Sequence, residues 1–119
     1  MTNYDDYPIA VTRGRMQAVA DGDTRQRRWD ELVRHLLDAP GHLEPETRRA
    51  VFAGEGIPDE LAGLVDTVAR HAYRVTDSQV DAVQHAGYNE DQVFEAIVVA
   101  SMAAGDRRLR SARRAMSGR

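Results

Sequence analysis

Cysteine is absent from this chain of 119 residues. Its absence excludes disulfides, thiolate metal sites, iron–sulfur clusters and every redox reaction that runs through a thiol. Histidine and carboxylate side chains are the metal ligands that remain, and the four histidines share no recognised ligand spacing. We therefore expect neither a metal site nor a cofactor.

Long apolar runs are also missing. The longest, residues 96–100, is far shorter than the roughly 20 residues that a transmembrane helix needs. The first residues include Asp5, Asp6 and Pro8, and they show neither the basic nor the apolar segment of a secretory signal. We therefore expect a cytoplasmic protein with no membrane partner.

Lysine is absent too, so all 16 basic residues are arginines, and the formal net charge is −3. We do not expect a chain of this balance to bind nucleic acid or an anionic membrane as a whole. Six arginines nonetheless crowd residues 107–119, where the dipole of a helix end favours cations. A tail that binds RNA or DNA is the alternative, although no aromatic residue lies among these arginines to stack on bases.

The length suits one domain, and the apolar residues recur at helical spacing over most of the chain. Residues 1–22 lack a clean period, and we predict a mostly irregular N-terminal arm there, with room for one short helix near residues 16–19, followed by a helical domain over residues 23–119. No segment alternates as a β-strand does, so the predicted fold class is all-α. Its five helices are expected to begin near Asp23, Pro45, Pro58, Asp77 and Asn89.

Cap signals support these helix boundaries. Residues 76–79 read T-x-x-Q, the sequence pattern of a capping box, and Asn89 with Gln92 has the same spacing and residue chemistry. Gly87 suits the left-handed position that ends a helix. The helix that follows Pro58 is expected to bury a face that includes Ala72.

The last helix is apolar over most of its circumference. One face is lined by Val93, Ile97, Ala100 and Ala104, and it is widened by Phe94, Val98, Ser101 and Met102. A chain of this length cannot easily cover such a helix on all sides. We therefore predict that this helix lies in a core or a subunit interface, and we expect an oligomer.

Three polar residues of the third helix region are candidates for chemistry. Glu60 lies in a first helical turn and His71 at the far end of the same helix, positions that the helix dipole favours in any case. Eleven residues separate the two, which corresponds to about 16 Å along the axis, so they cannot touch within one helix. Tyr73 adds a hydroxyl that could donate a hydrogen bond.

Residues 60–105 carry a longer pattern. Residues 60–65 read ELAGLV, residues 86–93 read AGYNEDQV, and residues 94–105 continue as an Ala-rich helix. In this order and spacing, without gaps, the segment resembles the alkylhydroperoxidase D-like and carboxymuconolactone decarboxylase superfamily. The resemblance implies a small alkylhydroperoxidase D-like helical domain with a central helical hairpin, in a family that commonly forms trimers or hexamers.

The reactive residues of that superfamily are replaced here. Its peroxidase branch carries E-x11-C-x2-C-x3-H, and counting from Glu60 places Ala72, Val75 and Gln79 at the cysteine and histidine positions. A peroxidase of this kind needs a reactive thiolate and a resolving thiol, which neither Ala72 nor Val75 supplies. The decarboxylase branch keeps a histidine where this chain has Gln79, and an amide cannot move protons as imidazole does.

Two functions remain in competition. The first is a non-peroxidase binding or assembly subunit, forming a homo-oligomer (a trimer or hexamer) or a hetero-complex with a related subunit. The second is an acid–base enzyme, resembling a decarboxylase or isomerase, that acts on a small organic acid or lactone. On that second hypothesis Glu60 and His71 would move protons, while Arg74, Tyr73 and Gln79 would bind the substrate, with Arg74 holding its carboxylate.

Overall fold

The structure, a computed structural model, describes the backbone of residues 15–118 and the side chains of residues 22–118. These residues form five α-helices and a 3₁₀ turn and contain no β-strand, which confirms the predicted all-α fold. The elements in chain order are α1 (Arg15–Asp38), α2 (Pro45–Ala53), α3 (Asp59–His71), the 3₁₀ turn (Ala72–Arg74), α4 (Asp77–His85) and α5 (Glu90–Ser117). None of the described helices combines the length and the apolar character that crossing a membrane requires.

Helix α1 begins earlier than its sequence pattern predicted. It starts at Arg15 rather than at Asp23, so residues 15–22 are helical and are not part of an irregular arm. Alanine, methionine, glutamine and arginine in this stretch favour a helix, and they outweigh the cost of about 1 kcal/mol that Gly22 adds. Residues 1–14, the rest of the predicted arm, lie outside the described residues.

The chain divides into two compact units, residues 1–35 and residues 36–119, so the predicted domain boundary at residue 22 and the boundary between these units differ. The described part of the first unit is helical, and within it Gln26 Nε2 donates to Asp30 Oδ1 over 2.7 Å, one turn further on. Pairs at this spacing stabilise a helix by a few tenths of a kcal/mol.

The core of the second unit is organised around α5, which packs against α2, α3 and α4. The largest fully buried side chains are Val51 of α2, Leu61 of α3 and Val99 of α5. The face of α5 that enters the core is rich in alanine, and small side chains let neighbouring helices approach closely. Its buried apolar residues are Val93, Ala96, Val99, Ala100, Ala103 and Ala104.

The predicted caps of α4 and α5 are confirmed. Thr76 accepts a hydrogen bond from the backbone N–H of Gln79, and the Gln79 side chain accepts one from the backbone N–H of Thr76. Asn89 and Gln92 exchange the same pair of bonds at the start of α5. Between the two helices Gly87 has a φ of 115°, the left-handed conformation that ends α4.

Helices α3 and α4 form a hairpin through the 3₁₀ turn. Gln79 Nε2 of α4 donates to Thr67 Oγ1 of α3 over 2.9 Å, which holds the two helices side by side. The prediction that Ala72 lies on a buried helix face is wrong, because α3 ends at His71 and Ala72 is exposed in the turn. The tighter winding of a 3₁₀ turn rotates its side chains away from the stripe that an α-helix would continue.

A buried arginine joins α2 to the end of α1. Arg48 is only 3% exposed, and its Nη1 donates to the carbonyl oxygens of Leu36 and Ala39 at 2.8 and 2.6 Å. These carbonyls belong to the last turn of α1 and the residue after it, where no helical N–H can reach them. The guanidinium of Arg48 therefore caps α1 with a positive charge, which the dipole of a helix C-terminus favours.

Glu95 of α5 completes this network. Its carboxylate lies 3.5 Å from Arg48 Nε and accepts hydrogen bonds from the backbone N–H groups of His42 and Leu43 at 2.8 and 3.1 Å. A Cβ at Gly41 would lie 2.7 Å from Glu95 Oε1, so a larger residue at that point of the loop would require the carboxylate to move. The pair thus fixes the loop between α1 and α2 against α5.

Replacing Glu95 with Gln is expected to lower the free energy of unfolding by about 3 kcal/mol, because it leaves the buried Arg48 charge without its partner. The matched control is Asp38→Asn, which breaks the exposed ion pair between Asp38 and Arg49 (2.6 Å) and should cost less than about 1 kcal/mol. Urea unfolding followed by circular dichroism gives both values from the shift in midpoint at constant slope. Equal losses for the two variants would contradict this account of the pair.

Candidate functional site

Glu60 is not brought near His71. It lies exposed in the first turn of α3, while His71 is the last residue of that helix. The hydroxyl of Tyr88 donates a hydrogen bond to Glu60 Oε1 over 3.5 Å. Burial of Tyr88, then the negative charge of Glu60 and the hydrogen bond between them, raise the pKa of the Tyr88 hydroxyl above 10.0. Tyr88 was not among the residues predicted from the sequence.

The structure does bring His71, Tyr73 and Arg74 together. The rings of His71 and Tyr73 lie 5.7 Å apart in an edge-to-face arrangement, and Arg74 Cζ lies 5.8 Å from the centre of the Tyr73 ring. All three side chains are exposed, Tyr73 by 79%. The cluster is a solvated surface feature at the 3₁₀ turn, where water weakens both ring contacts.

Gln79 is committed to the fold. Its side-chain oxygen is bonded to the backbone N–H of Thr76, and its side-chain nitrogen donates to Thr67. Substrate binding by this amide would therefore require it to give up bonds that hold α4 in place. The predicted roles of Glu60, His71, Tyr73, Arg74 and Gln79 stay predictions, and the structure does not bring the five around one cavity.

A cleft of about 510 Å³ lies elsewhere in the second unit, between the end of α2, the outer side of α3 and the middle of α5. Its walls are mainly apolar, and two charged residues, Asp66 and Arg107, lie among them. The residues lining it are Val51, Ala53, Gly54, Ile57, Ala62, Val65, Asp66, Ala69, Ala100 and Arg107. We call it the α3–α5 cleft.

A smaller hollow of about 190 Å³ lies beside the α3–α5 cleft and shares Ala69 and Arg107 with it. Arg108 and Ser111 line this hollow, and Arg108 Nη2 donates to the carbonyl oxygen of Ala69 over 3.3 Å. Two arginines of neighbouring positions therefore lie where the apolar cleft ends. Among the residues that the structure describes, no group of three His, Asp or Glu side chains comes together as a metal site would need.

This cleft was not predicted from the sequence, and the position of its arginines is explained there by the dipole of a helix end. Two alanines of α3, Ala62 and Ala69, lie seven residues apart and so share one face of the helix. Ala100 and Ala104 share a face of α5 in the same way. Paired small residues on facing helices, followed by arginines, were the available signal, although the same pattern also fits two helices in close contact.

Helix α5 carries a second apolar face, on the side opposite its buried residues. Because successive residues of a helix are rotated by about 100°, the side chains of this face lie along one line of α5, and that line is about 33 Å long. Phe94, Leu109 and Met116 on this face are 66%, 40% and 71% exposed, whereas Val98, Met102 and Gly105 between them are half-buried. The outer face of α5 consists of Phe94, Val98, Met102, Gly105, Leu109, Ala112 and Met116.

Comparison of the chain with family models, curated proteins and solved structures gave no match.

Replacing Glu60 with Gln should lower the pKa of Tyr88 part of the way back to 10.0, because the charge of Glu60 is removed and burial is not. A raised pKa favours the protonated phenol in the fold, so this stabilisation is complete below pH 10 and is lost as pH rises through the folded value. Titration of the Tyr88 ring carbons by NMR measures the change.

Asp59→Asn is the matched control for that titration, since it removes a neighbouring carboxylate of the same helical turn that is not among the groups acting on Tyr88. It should leave the pKa of Tyr88 where it is in the unaltered chain. An unchanged Tyr88 pKa in the Glu60→Gln variant would show that the two side chains do not interact.

Proposed function

We propose that this chain is a non-peroxidase assembly subunit that associates with a second copy of itself through the outer face of α5. The observation that carries the proposal is the exposure of Phe94 and Met116, two-thirds or more, at the ends of a continuous apolar line on a helix whose other side is already in the core. Exposed apolar surface of this extent is characteristic of protein interaction sites.

The placement of the chemically capable residues supports a role in binding rather than catalysis. Ala72 and Val75, at the positions of the peroxidase cysteines in the superfamily that residues 60–105 resemble, offer no sulfur. Glu60 and His71 lie at opposite ends of α3, and general acid–base catalysis needs both groups within hydrogen-bonding reach of one substrate.

Charge along α5 favours a second copy in the antiparallel orientation. The start of α5 carries two exposed acidic residues, Glu90 and Asp91, and no basic residue of this helix precedes position 107, whereas residues 107–117 contain five arginines and no acidic residue. Two such helices side by side in the same direction would place arginines against arginines. Antiparallel copies place the acidic start of each helix beside the basic end of the other, which lowers the electrostatic energy of the complex.

The apolar line is also suited to that orientation. Gly105 lies at its midpoint, eleven residues from both Phe94 and Met116. Because glycine has no side chain, two helices can approach most closely where their glycines meet. An antiparallel pair that crosses at Gly105 would place Phe94 of each copy beside Met116 of the other. A trimer or hexamer, the oligomers common in the resembled superfamily, would need a further surface, because an antiparallel two-fold contact closes at two copies.

Light scattering coupled to size-exclusion chromatography tests the proposal on the full chain. We expect twice the single-chain mass of 13.3 kDa for the unaltered chain and 13.3 kDa for the double variant Phe94→Ser/Met116→Ser. The reason is that the double variant removes both ends of the apolar contact while leaving the core face of α5 untouched.

Tyr73→Ser is the matched control, because Tyr73 is the most exposed of the large apolar side chains but does not lie on α5. That variant should keep the mass of the unaltered chain. A single-copy mass for the unaltered chain at every concentration would overturn the proposal, as would an unchanged oligomer in the double variant with its helical circular dichroism intact.

A further inference from the structure

The α3–α5 cleft has the size and surface of a site for a small apolar molecule. Its volume of about 510 Å³ falls within the roughly 300–1,000 Å³ that ligand pockets occupy. Val51, Ile57 and Val65 supply branched apolar side chains, and Ala62 and Ala69 leave the space between them open. Ala62 and Ala69 are seven residues apart on α3, so this part of the floor is about 10 Å long.

The charge at the end of the cleft is positive. Arg107 lines both the cleft and the adjoining hollow. Its exposed guanidinium makes no hydrogen bond or ion pair with the residues that the structure describes. Asp66, the acidic residue of the lining, is already bonded to Arg70 Nε at 2.9 Å. The Arg107 guanidinium is therefore available to bind an anion, while Asp66, the one carboxylate of the lining, is paired with Arg70 at the surface.

Arg108 strengthens this polarity. Its bond to the carbonyl oxygen of Ala69 covers an acceptor near the end of α3 that would otherwise repel an anion. Ser111, one helical turn beyond Arg107, adds a hydroxyl to the same hollow. Hydrogen-bond donors therefore lie at one end of the α3–α5 cleft, and the rest of its lining is mainly apolar.

From these observations we propose that the α3–α5 cleft binds an organic carboxylate with an apolar body, such as a medium-chain acid, with the carboxylate held by Arg107 and the chain lying along α3. The site is distinct from the outer face of α5 and does not require a second copy. It also lies apart from the cluster at the 3₁₀ turn, so the proposal assigns no catalytic role to Glu60 or His71.

The experiment is an NMR titration of the full isotopically labelled chain with sodium octanoate. Octanoate should bind saturably and shift the backbone amides of Val65, Ala69, Ala104 and Arg107 more than those of α4. Octanol, which has the same chain without the charge, should bind about tenfold more weakly, as should octanoate when the salt concentration is high.

Variants separate the charge from the apolar floor. Arg107→Gln should weaken octanoate binding about tenfold and leave octanol binding unchanged, whereas Arg107→Lys should recover part of the loss. Ala69→Trp should abolish binding of both molecules, because the larger ring fills the trough. Arg113→Gln removes an exposed arginine that lines neither the cleft nor the hollow, and it should change neither affinity.

Three results would overturn the proposal. The first is the absence of saturable octanoate binding to a chain whose amide spectrum is that of a folded protein. The second is equal affinity for octanoate and octanol, which would mean that the α3–α5 cleft binds apolar molecules without specificity for an anion. The third is an equal loss of octanoate affinity in Arg107→Gln and Arg113→Gln, which would mean that octanoate binding depends on the overall charge of the chain and not on this site.

Discussion

The buried pair of Arg48 and Glu95 is the contact on which the arrangement of the second unit depends. It connects three segments that the core alone would not fix: the last turn of α1, the loop that follows it, and the first half of α5. Two charges taken out of water lose several kcal/mol of hydration each, so a buried pair needs further hydrogen-bond partners. Two carbonyls and two backbone N–H groups supply them here, while Arg48 Nε has the Glu95 carboxylate beside it at 3.5 Å. A side chain at Gly41 would displace that carboxylate.

The Arg48–Glu95 pair fixes the position of α5, and the two sides of this helix have different surroundings. Its inner face is built from alanine and valine, and α2, α3 and α4 surround it closely. The small side chains of α3 and α5 do not fill the space between those helices completely, and the α3–α5 cleft is what remains. Its outer face leaves Phe94, Leu109 and Met116 exposed, and the association that we propose would cover them.

Local sequence rules were sufficient for the caps and for most helix boundaries. The bonds of Thr76 with Gln79, and of Asn89 with Gln92, join residues three apart, so a short window contains all the information. The sequence pattern predicts the start of α1 too late, near Asp23, because the cost of Gly22 is smaller than the helical preference of its neighbours. The turn at Ala72 depended on how α4 folds back on α3, which periodicity does not encode.

The candidate site was harder to predict for a physical reason. Arg48 and Glu95 lie 47 positions apart, and Ala69 and Arg107 lie 38 apart, so neither the ion pair nor the cleft has a local signature. Gln79 is predicted to bind substrate on the enzyme hypothesis, and in the structure both ends of its amide make hydrogen bonds, one of them across the α3–α4 hairpin. The apolar circumference of α5 was visible in the sequence, because a 3.6-residue period reveals how much of a helix is apolar without any knowledge of its partners.

Disulfide trapping tests the central claim, antiparallel association through α5, most directly, because a chain without cysteine forms no disulfide except through residues that are introduced. Two single variants, Phe94→Cys and Met116→Cys, are oxidised separately and then as an equimolar mixture. The account predicts a covalent dimer that contains one chain of each variant and forms efficiently only in the mixture. Efficient dimers within each separate variant, or none in any sample, would contradict it.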